Sequence, residues 1–353
     1  MNFLTSWLAD EANEADSFMH EAVLYDKLEN GQVRCKLCAH RCRVADGKRG
    51  ICAVRENNSG TLYSLVYGRA ISANVDPIEK KPLFHFLPGT RSYSIATAGC
   101  NFSCVFCQNW QISQITKGPR GQIVGEDLPP DKIVERAMKL GCQSISYTYT
   151  EPTIFFEYAY DTARLAQKAG LKNIFVTNGY QTPETIEQMV GVIDAVNVDL
   201  KSFSDEYYRS LCGGRLAPVL DSIKLMYKRG IWVEVTTLIV PDQNDSQEEI
   251  TQIAEYLCGI SRDIPWHISR FYPQYRMDES CPTTLETLYR AYELGKKAGL
   301  NYIYVGNVPG NEYENTYCPG CGEKVIGRFS YSVEKYLQGE KCPKCGEKMP
   351  FVL

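Results

Sequence analysis

The chain has 353 residues, 44% of them hydrophobic and 23% charged, and carries a formal net charge of −4. This is the composition of a globular protein long enough for one large or two ordinary domains, and its acidic excess is poor bulk electrostatics for gripping a phosphate backbone. No apolar run approaches the roughly 18 residues of a membrane span, and six acidic residues without a single Lys or Arg precede Lys27, so no basic start to an export signal is read and the cytoplasm is expected.

Residues 1–30 predict a helical lead-in, with Phe3, Leu4, Trp7 and Leu8 apolar in acidic surroundings. Residues 31–70 set Arg34, Lys36, Arg41, Arg43, Lys48, Arg49, Arg55 and Arg69 against only Asp46 and Glu56. That local excess of +6 suits an acidic or nucleotide-like partner, or merely a solvated surface. From about 90 to 310, short apolar runs alternate with amphipathic stretches. Strands are expected at 93–96, 144–149, 173–177, 195–199, 232–240, 267–271 and 302–305. Helices are expected at 130–139, 153–169, 183–190, 217–228, 246–257 and 284–298. Thr182 before Pro183 and Asp245-Ser246 before two glutamates are cap signals, and Gly141, Gly170, Gly230 and Gly299 are stop signals. Strand then helix, repeated about six times, means βαβ units and a parallel sheet. The expectation is an α/β fold, a partial (β/α)6 TIM-like barrel, with function on the loops after the strand C-termini. The expected division is a Cys-rich part over 1–85, the barrel over 86–310 and a tail module over 311–353.

Eleven of the fifteen cysteines fall in three short groups, which in a reducing compartment reads as metal ligation rather than disulfide bonding. Cys142, Cys212, Cys258 and Cys281 are scattered and are expected to be buried, inert thiols. Cys318-x2-Cys321 and Cys342-x2-Cys345 repeat the pattern Cys-Pro-x-Cys-Gly-Glu-Lys and fit the spacing of a zinc ribbon, with a rubredoxin-like iron as the alternative. Six basic and six acidic residues between 311 and 353 make it a stapled tail or docking surface rather than a nucleic-acid reader. Cys35, Cys38, Cys42 and Cys52 offer four ligands at irregular spacing, for zinc or for an auxiliary iron–sulfur cluster. Zinc is the first expectation, and His40 is then left to pack or hydrogen-bond.

Cys100-x3-Cys104-x2-Cys107 follows the first barrel strand and the turn residue Gly99. Three thiolates fall one short of a structural zinc site but suit three corners of a [4Fe–4S] cluster, leaving one iron open to a small molecule.

With Phe106 before its last cysteine, this motif resembles the signature of the radical S-adenosylmethionine (SAM) superfamily. The resemblance implies that the open iron takes the amino and carboxylate groups of SAM. One electron then splits the sulfonium to methionine and a 5′-deoxyadenosyl radical, which abstracts hydrogen from a substrate. It further implies roles at later strand ends. Glu151, after Tyr147-Thr148-Tyr149-Thr150, is similar to the family's glutamate for the SAM ammonium, although the two glycines before it are absent. Thr177-Asn178-Gly179 is similar to a ribose-contacting turn, with Val176 where pyruvate formate-lyase activating enzymes have an aspartate. Asp199-Leu200-Lys201 resembles their Asp-x-Lys, with Lys201 matched to the SAM carboxylate, and His267 resembles a histidine near SAM. Each has a plainer reading: Glu151 as a helix start, Asp199–Lys201 as a surface pair, His267 as a satisfied core residue. Their joint placement behind the cysteine motif favours the functional one. The run Asp76-Pro-Ile-Glu-Lys-Lys-Pro-Leu-Phe-His85 and the two flanking cysteine modules further resemble the AmmeMemoRadiSam subgroup. That implies AMMECR-type and Memo-type proteins as associates and a reductant such as ferredoxin or flavodoxin. The rival expectations are a glycyl-radical enzyme activase, radical modification of a small molecule or nucleobase, and a non-catalytic electron carrier or zinc scaffold.

Overall fold

In the computed structural model, which describes residues 19–118 and 121–353, the strand β1 (Ser72–Pro77) pairs antiparallel with β2 (Arg91–Ala96). From β2 onward every pairing is parallel, through β3 (Ser144–Tyr147), β4 (Lys172–Thr177), β5 (Ala195–Asp199), β6 (Trp232–Ile239), β7 (Trp266–Arg270) and β8 (Ile303–Gly306). Spatial order follows chain order, and β1 and β8 are the two edges of an unclosed sheet, as a partial barrel requires. Six helices make the crossovers: α1 (Pro130–Lys139), α2 (Phe156–Lys168), α3 (Pro183–Met189), α4 (Leu216–Lys228), α5 (Gln247–Ile260) and α6 (Leu285–Ala298). The strands read as apolar runs because helices and barrel interior cover both faces: all four residues of β3 and the first four of β5 are buried. Helix starts follow the cap chemistry, with Thr182, Ser246 and Thr284 side chains accepting from the amides of Thr185, Glu249 and Thr287.

Three expectations need correction. The strand expected through residue 149 stops at Tyr147, because Tyr149 turns into the left-handed region at φ 63°. The helix expected from residue 153 begins as a 3₁₀ turn, Pro152–Phe155. In the expected lead-in, residues 1–18 lie outside the described residues, while His20–Glu21 and Tyr25–Lys27 are strands rather than helix. They join two small antiparallel sheets of the N-terminal module, one with Thr61–Ser64 and Arg55–Asn58, the other with Val33–Cys35 and Arg43–Val44.

This module is clamped to the barrel. The buried Arg55 guanidinium makes two hydrogen bonds to Glu157 of α2, at 2.8 and 2.9 Å. Arg41 likewise reaches Glu184 of α3, while Arg49 and Lys36 pair within the module with Glu56 and Asp26. The C-terminal module is a three-stranded antiparallel sheet (Thr316–Tyr317, Lys324–Phe329, Ser332–Lys335) with a second apolar core around Phe84, Tyr302, Tyr304, Ile326 and Phe351. Arg328, buried beneath it, donates to the Phe84 carbonyl at 2.6 Å and stacks over the Phe84 ring.

Candidate active site

The loop after β2 carries the three-cysteine motif to the mouth of a cavity of about 610 Å³ at the C-terminal ends of the strands, and Cys100, Cys104 and Cys107 all line it. Gly99 makes this possible: at φ 100° it holds a conformation that side chains avoid, and a Cβ there would lie 2.8 Å from Val54 Cγ1. The Phe102 amide donates to Cys100 Sγ at 3.4 Å, and Cys107 Sγ lies 3.3 Å from Ser113 Oγ. Burial raises the Cys100 and Cys107 thiols, so thiolates here need a cation to offset them. Three thiols suit three corners of a [4Fe–4S] cluster, and among the described residues they do not close on one another as ligands of a single ion do.

Among the scattered cysteines the expectation of burial fails at Cys258, which is half-buried, and at Cys281. Cys212 is buried as expected but lies against Cys104, whose thiol it raises by hydrogen bonding before burial adds to the effect. Its carbonyl accepts from the Ser103 amide at 2.8 Å, so a π-helical turn, Tyr208–Cys212, braces the loop from behind. Cys281 is exposed. Cys142 precedes β3 and so sits at the opposite end of the strands from the motif.

Glu151 is fully buried in the cavity wall. Its Oε1 accepts from the Thr153 amide, the Thr153 hydroxyl at 2.6 Å and the Thr177 hydroxyl at 2.7 Å. Oε2 accepts only the Asn178 amide, at 2.8 Å, and keeps a lone pair for a further donor. Glu151 therefore caps the 3₁₀ turn and lines the cavity at once, so the plain reading and the functional one describe the same side chain. Burial raises its pKa, against four hydrogen bonds that lower it. Asn178 reaches across to Asn101 in the cysteine loop at 2.7 Å. Thr177 and Asn178 both line the cavity.

Asp199 and Lys201 face the cavity as a pair, Nζ to Oδ2 at 2.9 Å. Burial works against the Lys201 ammonium, but Asp199 and the thiols of Cys104 and Cys212 raise its pKa overall. His267 also lines the cavity, yet its Nε2 is held by the fully buried Glu234 at 2.7 Å. Glu234 in turn accepts the amides of Phe84 and His85, both at 2.9 Å, so this histidine is tied into the docking of the Phe84–His85 segment.

The structure adds residues that carried no expected role. Lys80, Lys81 and Tyr149 line the cavity, and Asp76 on β1 gathers all three: Lys81 Nζ at 2.6 Å, Lys80 Nζ at 2.9 Å, and the Tyr149 hydroxyl. Burial lowers Lys81 to about 8 despite Asp76. The signal was the run of Asp76, Glu79, Lys80 and Lys81 beside apolar residues. The left-handed Tyr149 is the kind of strained backbone that collects at functional sites. Of the four tyrosines at or just after the strand ends, Tyr149 lines the cavity, Tyr147 and Tyr180 are buried elsewhere and Tyr272 is exposed. Glu314, Ser330 and Tyr331 of the C-terminal module also form cavity wall.

The four C-terminal cysteines meet in space. Their sulfurs lie within 4.8 Å of one another, with Cys318–Cys345 at 3.6 Å and Cys321–Cys342 at 3.7 Å. Metal–sulfur bonds of about 2.3 Å in a tetrahedron put sulfurs about 3.8 Å apart, so this set fits one ion.

Comparison with known proteins agrees with this geometry. The sequence model of the Radical SAM superfamily matches residues 94–257. An uncharacterized protein of Methanocaldococcus jannaschii is 44% identical over 339 residues, covering 95% of this chain and 100% of the relative. The pyruvate formate-lyase 1-activating enzyme of Escherichia coli is 24% identical over 223 residues, covering 58% of this chain and 89% of that enzyme. Among solved structures, Streptococcus suis SuiB bound to S-adenosylmethionine superposes with a TM-score of 0.50 at 15% identity, over 69% of this chain and 56% of SuiB, a likeness of fold.

Proposed function

Since the chain belongs to the radical SAM superfamily and is an enzyme that cleaves SAM to a radical, we propose which of its residues do so and on what kind of substrate. Cys100, Cys104 and Cys107 hold the [4Fe–4S] cluster. Bound there, it supplies one electron to SAM, which parts into methionine and a 5′-deoxyadenosyl radical. The observation that carries this assignment is that the three thiols share one cavity with Glu151, Thr177, Asn178, Asp199 and Lys201 from three successive strand ends.

Glu151 Oε2, with its spare lone pair, receives the SAM ammonium, and Lys201 offsets the SAM carboxylate. Thr177 and Asn178 border the ribose, with the Asn178–Asn101 bond fixing their distance from the cysteine loop. His267 orients the wall through Glu234. Phe84, Phe106, Val176 and Leu238 supply apolar lining that keeps water from a reactive radical. The substrate occupies the part of the cavity lined by Lys80, Lys81 and Tyr331, where two adjacent ammonium groups of the barrel edge and a phenol of the C-terminal module share one wall. The C-terminal cysteines hold a structural zinc, supported by their 3.6 and 3.7 Å spacings.

The Asp76–His85 run and both cysteine modules support membership of the AmmeMemoRadiSam subgroup, with AMMECR-type and Memo-type proteins as associates in the cytoplasm and a ferredoxin or flavodoxin as reductant. Among the described residues no helix is long and apolar enough to cross a membrane. A second reading, activation of a glycyl-radical enzyme, draws on the similarity to the pyruvate formate-lyase 1-activating enzyme. A source genome without any glycyl-radical enzyme would remove it, leaving a small molecule or nucleobase. Anaerobically reconstituted protein given dithionite and SAM is expected to release 5′-deoxyadenosine, and Cys104→Ala to release none. Equal product from both proteins would refute the assignment of these cysteines.

A further inference from the structure

Besides the SAM cavity, the N-terminal module encloses a second, smaller one, and all four of its cysteines line it: Cys35, Cys38, Cys42 and Cys52. The amides of His40, Ile51 and Val54 face the thiols of Cys38, Cys42 and Cys52, the arrangement of a metal knuckle rather than of core cysteines. The two four-cysteine sets nevertheless differ in kind. In the C-terminal set the sulfurs close on one another to within 4.8 Å, as a single ion demands. Among the described residues no three of the N-terminal thiols come that close, and neither do Cys100, Cys104 and Cys107. The N-terminal thiols thus resemble the cluster-binding motif in not closing on a single ion, and a cavity of about 20 Å³ lies among them.

Arg55 points the same way. It lines this cavity, is 3% exposed, and spends its terminal nitrogens on Glu157 and the Val23 carbonyl. Its Nε is buried without a hydrogen-bond partner. A buried N–H left unpaired is costly, and a cluster sulfide or cysteine sulfur in the cavity would accept from it.

The module is also joined directly to the SAM-cluster loop. His40, two residues from Cys38, places Nε2 2.9 Å from the carbonyl oxygen of Asn101, the neighbour of Cys100. Ile154, which lines the N-terminal cavity, and Val54, next but one to Cys52, both press on Gly99, the residue before Cys100.

We propose that Cys35, Cys38, Cys42 and Cys52 hold a second iron–sulfur cluster, which passes electrons to the SAM cluster through the His40–Asn101 contact. Reduced by a low-potential one-electron donor of the ferredoxin or flavodoxin class, it gives one electron to the oxidised SAM cluster and returns to its own oxidised level; no proton or group is transferred. This takes the second of the two expectations for these cysteines, an auxiliary iron–sulfur cluster, in place of zinc.

The full-length Cys100→Ala/Cys104→Ala/Cys107→Ala variant, purified without oxygen, tests the site. It is expected to keep about four irons and about four sulfides, with about one zinc, per chain, and to show an iron–sulfur electron paramagnetic resonance signal on reduction. About two zincs and no iron would overturn the second cluster. Should that variant fail to fold, the wild type decides, with about eight irons supporting the proposal and about four refuting it. A wild type with about four irons that still releases 5′-deoxyadenosine would discard the second cluster and leave the SAM assignment standing. For the relay, the SAM cluster of a Cys35→Ser/Cys38→Ser variant should be reduced by flavodoxin hydroquinone at least about ten-fold more slowly than in wild type. An unchanged rate would overturn it.

Discussion

The Thr177 hydroxyl donates to Glu151 Oε1 at 2.7 Å, tying the end of β4 to the turn that follows β3. With the Asn178 amide on Oε2, one buried carboxylate thereby sets the separation of two neighbouring strand ends. In Glu151→Gln the amide nitrogen would meet either the Asn178 amide or the donors from Thr153 and Thr177, donor against donor. The expected cost is about 1–3 kcal/mol of stability, measured by urea unfolding. SAM affinity should also fall by about ten-fold or more in equilibrium dialysis, since the ammonium loses its charged partner. Unchanged SAM binding in a destabilised variant would reduce Glu151 to a structural cap.

Gly99 predicts a different failure. A methyl group there meets Val54 Cγ1 at 2.8 Å, Thr116 Oγ1 at 3.1 Å and Ile154 Cδ1 at 3.2 Å, in a backbone conformation that already disfavours it. Gly99→Ala should therefore cost roughly 1–3 kcal/mol and lower iron occupancy at the Cys100 loop. Adding Val54→Ala should recover part of both losses. If the double variant is no better than the single one, the close approach of the two modules is not what Gly99 serves.

These residues also show what could be read without coordinates. The barrel was legible because a fully covered parallel strand must be apolar throughout and its helix must begin at a capping side chain, so residues 195–199 and Ser246 announce themselves. β1 was not, because the polar residues Ser72, Asn74 and Asp76 break the apolar pattern of a strand, and only Asp76 holds residues of the site. Glu151, Asp199 and Lys201 were legible as strand-end polar groups. Asp76, Lys81 and Tyr149 were not, since their meeting depends on an antiparallel pairing that local sequence does not encode. Cys212 was missed for the same reason: 108 residues separate it in the chain from the thiol it touches.

The C-terminal cysteines should behave as one ligand set. Cys318 and Cys342 are buried within the second apolar core, which also holds Tyr302 and Tyr304 at the last barrel strand. With the zinc proposed above, a small sheet of this size would draw most of its folding free energy from the ion, about 10 kcal/mol or more in comparable sites. Cys342→Ser is therefore expected to lose about one zinc per chain and to increase hydrogen exchange in residues 316–335 and in β8, with α1 to α4 unaffected. Retention of zinc in this variant would mean that three thiolates suffice, contrary to the closed tetrahedron.

His85 makes the docking of that module sensitive to acid. Its Nδ1 lies 2.8 Å from the Pro350 carbonyl, so it carries the proton there, and Nε2 accepts from the Tyr304 hydroxyl at 2.5 Å. Burial lowers its pKa from the ordinary 6.5 to about 4, although Glu234 and the Pro350 carbonyl pull the other way. Below pH 6.5 the unfolded chain takes up a proton that the folded chain refuses until about pH 4. Stability is thus whole above 6.5 and falls as pH drops through that window, by roughly 3 kcal/mol for a fully buried group. His85→Gln does not titrate and can still donate to Pro350. Denaturant unfolding at pH 7 and pH 4.5 should therefore show a loss smaller in the variant by about 2 kcal/mol or more, the remaining loss being common to both proteins. Equal losses in the two proteins would mean that His85 becomes charged without disturbing the fold, and that the acid sensitivity of the interface lies with other groups.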